Sequence, residues 1–229
     1  MTAAPAAPAD PARERFFTPA YLERATLRDG SRVELRLLMP SDRDRLREGF
    51  ERLSTESRYS RFLGPKTALS DDELDYLTVL DHEAHFAIGA TATDQSDRGL
   101  GLARFIRLPD APTIAEAAIA VADDAQGTGL GKLLFLRLCA AAAERGVERF
   151  RCDLLGSNHG MKELLDSITP ERTVHSGGGI MTIELAIPGV TPTEPPDEPG
   201  PHGAMYKLFR AAAENAVEWT DTVRKLWRR

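Results

Sequence analysis

The apolar positions of the chain recur with two different periods, and their order predicts a mixed α/β domain. Over residues 32–39, Val33, Leu35 and Leu37 alternate with polar side chains, the period of a half-buried strand, and Pro40 ends the run. Ser41 or Asp42 then caps a helix with Leu46, Phe50 and Leu53 on one face. A second short helix is expected from Ser54. A third starts at Ser70, where Glu73 completes a capping box and Leu74 and Leu77 turn inward. Two strands follow, over 85–93 and 100–108, joined by a polar turn at 96–99. The longest apolar strand, 114–122, runs into an acidic turn and a set of glycines. A long apolar helix occupies 133–143, with Gly146 as its stop. Beyond it Phe150, Cys152 and Leu154 alternate with Arg149, Arg151 and Asp153. A short helix over 158–167 and a hairpin over 172–186, broken by three glycines at 177–179, complete the pattern.

The flanks follow other rules. Residues 1–30 read as a flexible N-terminal tail, the first half of it Ala, Pro and charge. Residues 188–203 form a Pro-rich linker. Within 204–229, Met205, Phe209, Ala212, Ala216, Trp219, Val223 and Leu226 recur at spacings of four and three, which predicts an amphipathic C-terminal helix. Such a stripe suits packing on its own domain or in a homodimer. Docking to a partner or membrane surface, helped by Arg224, Lys225, Arg228 and Arg229, is the alternative.

Chemistry concentrates between Ile114 and Lys132. Gly127, Gly129 and Gly131 lie between a strand and the first turn of a helix, where backbone amides point outward unpaired and the helix dipole favours negative charge. Glycine lets a bound anion approach that backbone without a Cβ in the way, so the stretch reads as a phosphate cradle. It is not a P-loop: the residue five before Gly131 is Gln126, and Leu133 follows Lys132, so no hydroxyl is placed for Mg²⁺. Nor does Gly-x-Gly-x-x-Gly fit in either register. Gln-x-x-Gly-x-Gly does fit, as Gln126, Gly129 and Gly131.

Glu116 is the polar residue in the apolar run Ile-Ala-Glu-Ala-Ala-Ile-Ala-Val, and a carboxylate buried in a sheet without a role is costly. Acyl transfer to an amine needs the amine neutral, against a lysine reference pKa near ~10.4, and a partly desolvated carboxylate can take that proton. The plainer alternatives are an exposed strand glutamate or an ion-pair partner for Arg104.

The glycine spacing resembles the pyrophosphate loop of the GNAT superfamily of acetyl-CoA-dependent N-acetyltransferases. Further pieces match in order: Leu53-Ser54-x-x-Ser57-Arg58-Tyr59-x-Arg61-Phe62, Ala103-Arg104, Ala115-Glu116-x-Ala118 and Leu155-x-x-Asn158-x-x-Met161. The resemblance spans about 31–187 and is greatest to the acetyltransferase domain of bacterial Pat-type protein-lysine acetyltransferases. It implies an α/β (α+β) GNAT fold: a central mixed, mostly antiparallel sheet flanked by helices, here with a C-terminal helical extension. It also implies acetyl-CoA as cosubstrate and Glu116 as the catalytic base. A backbone amide among Ala120, Val121 and Ala122 would polarise the thioester carbonyl. The pyrophosphate would rest on Gln126, Gly127, Thr128, Gly129, Leu130 and Gly131, with Lys132 adding charge. Asn158 would lie near the pantetheine arm, although its residue type equally suits a helix N-cap. Two departures stand out. The Gly-Phe pair that ends the last helix in Pat-type domains is replaced by Ile168-Thr169-Pro170, and Leu164 and Leu165 stand where many GNAT enzymes keep an acidic tyrosine.

Composition narrows the reading further. With 229 residues, 42% hydrophobic, the chain can build one sizeable core plus appendages. A net charge of −6 supplies no basic footprint, which argues against nucleic acid as a partner. Cys139 and Cys152 fall on apolar faces and read as small buried hydrophobes. His82 and His85 read as loop histidines, without a third ligand at metal spacing, so no metal site is expected. With neither a signal-peptide core nor a membrane-length apolar run, the cytoplasm is the expected location. The sequence thus points to an N-acetyltransferase acting on an amine, foremost a protein lysine. A small-amine acetyltransferase, or a catalytically silent module binding acyl-CoA or a partner, is the alternative.

Overall fold

The computed structural model describes residues 15–94, 97–169 and 172–192. Eight strands form one sheet: β1 (Leu22–Thr26), β2 (Arg32–Leu37), β3 (His85–Ala92), β4 (Gly99–Leu108), β5 (Ala111–Val121), β6 (Arg149–Leu155), β7 (Arg172–Gly177) and β8 (Ile180–Ala186). Their spatial order is β1-β2-β3-β4-β5-β6-β8-β7, antiparallel throughout except between β5 and β6. Five helices cover the sheet: α1 (Arg43–Arg52), α2 (Thr55–Phe62), α3 (Asp71–Thr78), α4 (Leu130–Glu144) and α5 (His159–Asp166).

Local chemistry sets the helix starts. The Ser54 hydroxyl accepts from the Ser57 amide at the head of α2, and Ser70 and Glu73 exchange both bonds of the expected capping box at α3. Helix α4 turns Leu130, Leu134, Phe135, Leu138, Cys139, Ala141 and Ala142 inward. There Phe86, Phe105, Phe150 and Phe135 form a chain of rings 5.4–5.9 Å apart. Each buried Leu or Phe contributes ~1.5–3 kcal/mol, so this face dominates the stability. The opposite face carries a smaller cluster, Phe50, Phe62 and Leu77, under α1–α3.

The N-terminal part departs from the expected tail. Residues 15–30 are folded: β1 pairs antiparallel with β2, from Leu22↔Arg36 to Thr26↔Arg32. The turn between them contains Asp29 and Gly30, the latter at φ +85°, and the Ser31 amide donates to the Asp29 carboxylate at 3.0 Å. Phe17 and Tyr21 join the main core. Arg137 of α4 clamps Glu23 with two bonds of 2.6 and 2.7 Å, and Arg145 Nη2 donates to the Phe17 carbonyl at 2.7 Å. Aromatic burial and charge pairing with α4 therefore fix a segment whose composition resembles a linker. The remainder of that tail, residues 1–14, lies outside the described residues, as does the chain from 193 onward, where most of the expected linker and the whole expected helix fall.

The histidine expectation is also corrected. His85 is the first residue of β3, 2% exposed, with its ring 5.0 Å from that of Tyr76. Burial, reinforced by the positive charge of Arg104, lowers its pKa well below 6.5, so it sits in the core neutral. The unfolded chain then binds a proton that the folded chain refuses. Stability is unaffected above about pH 6.5 and falls below it, with a slope approaching about 1.4 kcal/mol per pH unit from this residue. His85→Phe keeps the tilted ring contact with Tyr76 and removes the titration. Denaturant midpoints from pH 7 to 5 are expected to fall less steeply in the variant than in the parent.

Candidate functional site

Strands β5 and β6 run parallel for only three pairs, Ile114↔Arg149, Ala115↔Phe150 and Glu116↔Arg151. Beyond Glu116 they part, β5 continuing to Val121 and β6 to Leu155, and a wedge opens between them. The Ala122 amide donates to the Leu100 carbonyl of β4 at 2.8 Å. Alternation along an antiparallel strand gives Ala120 the same orientation, and turns the backbone groups of Ile119 and Val121 toward the wedge. This narrows the expectation for 120–122. Ala122 is committed to β4 and Ala120 faces the same way, so Val121 is the member of that trio able to donate into the gap.

At the wide end of the wedge the chain turns through Asp123–Ala125 into the glycine loop and α4. Gly127 and Gly129 adopt φ +75° and +94°, values that side-chain-bearing residues avoid, so glycine is required at both. Gly129 is the N-cap of α4, and the first amide to bond back along the helix is that of Leu133, 3.1 Å from the Gly129 carbonyl. The amides of Gly131 and Lys132 in the first turn therefore point out of the helix end. The Leu130 side chain is fully buried in the core, and its amide reaches the Thr128 hydroxyl at 3.4 Å. Thr128 in turn donates to the Ala125 carbonyl at 2.6 Å, bracing the loop. Gly131 is not conformationally required. It has no left-handed φ, and a Cβ there would meet Val121 and Leu164 at ordinary contact distances of 3.6 and 3.8 Å.

The other candidate side chains also bond within the protein. Gln126 Nε2 donates to the Val121 carbonyl at 3.2 Å and to the Asp123 carboxylate at 3.3 Å, tying the loop to the end of β5. Asn158 caps α5, its Oδ1 accepting from the Met161 amide at 3.0 Å, so only its amide nitrogen remains to meet a ligand. Lys132 reaches the Ser167 carbonyl at 3.4 Å. The Ser54 and Ser57 hydroxyls of the matched α2 segment hold Asp123, which the Ser54 amide also contacts at 2.7 Å. Burial opposes charge on that carboxyl, but these bonds outweigh it and keep its pKa below the ordinary value.

Sequence reasoning misses two neighbours of the site. The Arg28 amide donates to the Thr128 carbonyl at 3.0 Å, and its side chain runs past Gly129, with Nε 3.4 Å from where a Cβ would stand. The exposed guanidinium thus flanks the cradle. The Asp29-Gly30 pair is a hairpin signal that could have revealed it. The second is Tyr76 of α3, whose pKa is pushed up to about 12 by burial, with the Glu116 charge adding to the shift and Arg104 opposing it. Nothing in the sequence pattern brings α3 to β5.

Glu116 itself is 4% exposed, so the exposed-strand alternative fails. It stands on the α1–α3 side of the sheet, between Ile106 on β4 and Arg151 on β6, where β5 and β6 begin to part. Arg151 also bonds the buried Glu184 at 3.3 Å. The arrangement therefore combines a glycine loop with outward amides at a helix start, outward-facing amides along a split strand, and a buried carboxylate at the closed end of the split.

Known proteins resemble this chain in sequence and in fold. The sequence profile described as the acetyltransferase (GNAT) family matches residues 48–167. The chain is 32% identical over 218 residues to acetyltransferase Pat of Mycolicibacterium smegmatis, an alignment covering 89% of this chain and 61% of that protein. It resembles the crystal structure of the GNAT domain of S. lividans PAT with a TM-score of 0.66 and 27% identity, over 72% of this chain and 96% of that one. A cAMP-binding acyltransferase from Mycobacterium smegmatis aligns at 26% identity and TM-score 0.53, over 87% of this chain and 55% of that one. The chain thus spans little more than half the length of these two longer relatives.

Proposed function

Because the chain belongs to the GNAT family of acetyltransferases, we propose that it transfers an acetyl group from acetyl-CoA to a protein lysine side chain, with Glu116 as general base. The observation that carries the reading is a buried carboxylate at the apex of a wedge whose open end is a glycine cradle. The residues present fit the cosubstrate. Two glycines with left-handed φ, the outward amides of Gly131 and Lys132 and the Arg28 guanidinium suit a pyrophosphate. The wedge edge of β5 suits a pantetheine arm. Acetyl-CoA supplies an activated acyl carbon.

Glu116 accepts the ammonium proton of the acceptor, directly or through a water, and passes it to solvent. The neutral amine then attacks the thioester carbon. A C–N bond forms, the C–S bond breaks, and the second amine proton leaves with the thiol. The Val121 amide donates to the carbonyl oxygen as negative charge grows there. Neither cysteine takes part. Both are buried, and burial pushes the Cys139 thiol up to about 12 and the Cys152 thiol higher still. Protein lysine is preferred as acceptor because of the likeness to acetyltransferase Pat and to the PAT domain.

The acceptor class is tested by incubating the chain and acetyl-CoA with a mixture of lysine-containing proteins and, separately, with polyamines and amino acids. Mass spectrometry should find ε-acetyl-lysine in a small subset of proteins. Turnover confined to the small amines would overturn the protein-lysine assignment. Arg28→Ala should weaken acetyl-CoA binding roughly two- to fivefold, the worth of one exposed charge on an anion. Calorimetry should show that loss shrinking as salt is added.

A further inference from the structure

On the α1–α3 side of the sheet a cavity of about 110 Å³ extends from Ala120 and Ala122 across β4 and β3 toward β2. It has room for several water molecules. Its walls are largely apolar, with Phe50, Leu53, Leu77 and Leu102 among them, and Glu116 is not part of them. Of the charged groups on its walls, Asp42, Arg36 and Arg45 satisfy one another. Arg36 makes bonds of 2.7 and 2.6 Å to the Asp42 carboxylate, Arg45 also donates to it, and the Met39 amide completes its shell at 2.8 Å.

Arg104 differs. It is 1% exposed and spends Nη2 on the Leu77 carbonyl at 2.6 Å. Its Nε and Nη1 find no hydrogen-bond partner among the described residues. A second cation, Arg61, also lines the cavity and acts on it. A buried guanidinium with two idle donors beside another positive charge is costly, and an anion with paired acceptor oxygens would relieve it.

We propose that this cavity is an acyl-chain subsite that takes a short dicarboxylic acyl group, succinyl in type, with its distal carboxylate on Arg104. The proposal rests on the acetyl-CoA reading above, because that reading brings the thioester to the end of β5. An acceptor amine has to reach Glu116, outside the cavity, so the acceptor enters on that side and the acyl chain fills the chamber. Methylenes suit the leucine and phenylalanine walls, and the carboxylate suits the two idle N–H groups. Transfer follows the same balance as acetyl transfer: the C–S bond breaks, the C–N bond forms, and the distal carboxylate stays ionised throughout.

The test is calorimetry of the full chain with acetyl-, butyryl- and succinyl-CoA. Butyryl matches succinyl in length without the charge. Succinyl-CoA should bind on the order of tenfold more tightly than butyryl-CoA, the worth of a charge-assisted hydrogen-bonded pair. Arg104→Met, which exchanges an unpaired buried charge for similar apolar volume, should erase that preference. A second variant guards against misfolding. Gly49 of α1 lines the cavity with open space where a Cβ would stand, and replacing a mid-helix glycine favours the helix. Gly49→Leu should lower the affinity of both four-carbon thioesters relative to acetyl-CoA. Equal binding of butyryl- and succinyl-CoA, or a preference that survives Arg104→Met, would overturn the subsite. Discrimination by γ-aminobutyrate as acceptor, without any among the thioesters, would overturn it too by moving the carboxylate to the acceptor. If acetyl-CoA itself fails to bind, the underlying cosubstrate reading fails, an outcome distinct from acetyl-CoA binding without succinyl preference.

Discussion

Glu116→Gln is expected to lower acetyl transfer by ~10²–10⁴-fold, the range usual for loss of a general base, while acetyl-CoA still binds. The exchange keeps the size of the side chain and its ability to hydrogen-bond, so the sheet around it should hold. Two facts make the effect large. Glu116 is buried where β5 and β6 part, which shields it from bulk water. An acceptor lysine at neutral pH is almost wholly protonated, given its reference pKa near ~10.4. Calorimetry with acetyl-CoA, run beside the kinetics, separates a chemical loss from a binding loss. A variant that loses both together would mark Glu116 as structural.

Gly129→Val is expected to abolish measurable acetyl-CoA binding without unfolding the domain. Residue 129 is held at φ +94°, where a β-branched side chain is a strong outlier, so the loop must move to accept valine. Arg28 Nε stands 3.4 Å from where the Cβ would lie, so the branched methyls of valine would also crowd that cation. Gly131→Ala serves as the graded comparison, since its Cβ meets only ordinary contacts. It should reduce affinity far less. Circular dichroism checks that both variants fold, and unchanged affinity in folded Gly129→Val would remove the cradle from the account.

Much of the fold is legible in the residue pattern alone, for reasons that differ by element. Strands β2 to β8 and the five helices of the described residues announce themselves through alternation, caps and glycine stops, because each signal is local. Strand β1 is hidden. Leu-Glu-Arg-Ala-Thr carries little apolar alternation, and what holds it is distant: the Glu23–Arg137 clamp and the burial of Phe17 and Tyr21 against α4. Arg28 is hidden with it. At Gly127 and Gly129 the glycine pattern signals the right property, freedom of the backbone, whereas Gly131 has no such need. The donor among residues 120–122 cannot be chosen from sequence, since it depends on which side of β5 faces β4. The surroundings of Glu116 are equally invisible: Tyr76 of α3 and Arg151 of β6 come from two separate elements and meet it only in the fold.

The most direct test of the central claim is the pH dependence of kcat/KM for wild type and Glu116→Gln with one acceptor amine. If Glu116 serves to deprotonate that amine, the ratio of the two rates should be ~10²–10⁴ at neutral pH and shrink steadily as solvent takes over toward the amine's own pKa near ~10.4. A ratio close to one at neutral pH, or a large ratio that stays constant as the pH rises, would contradict the account.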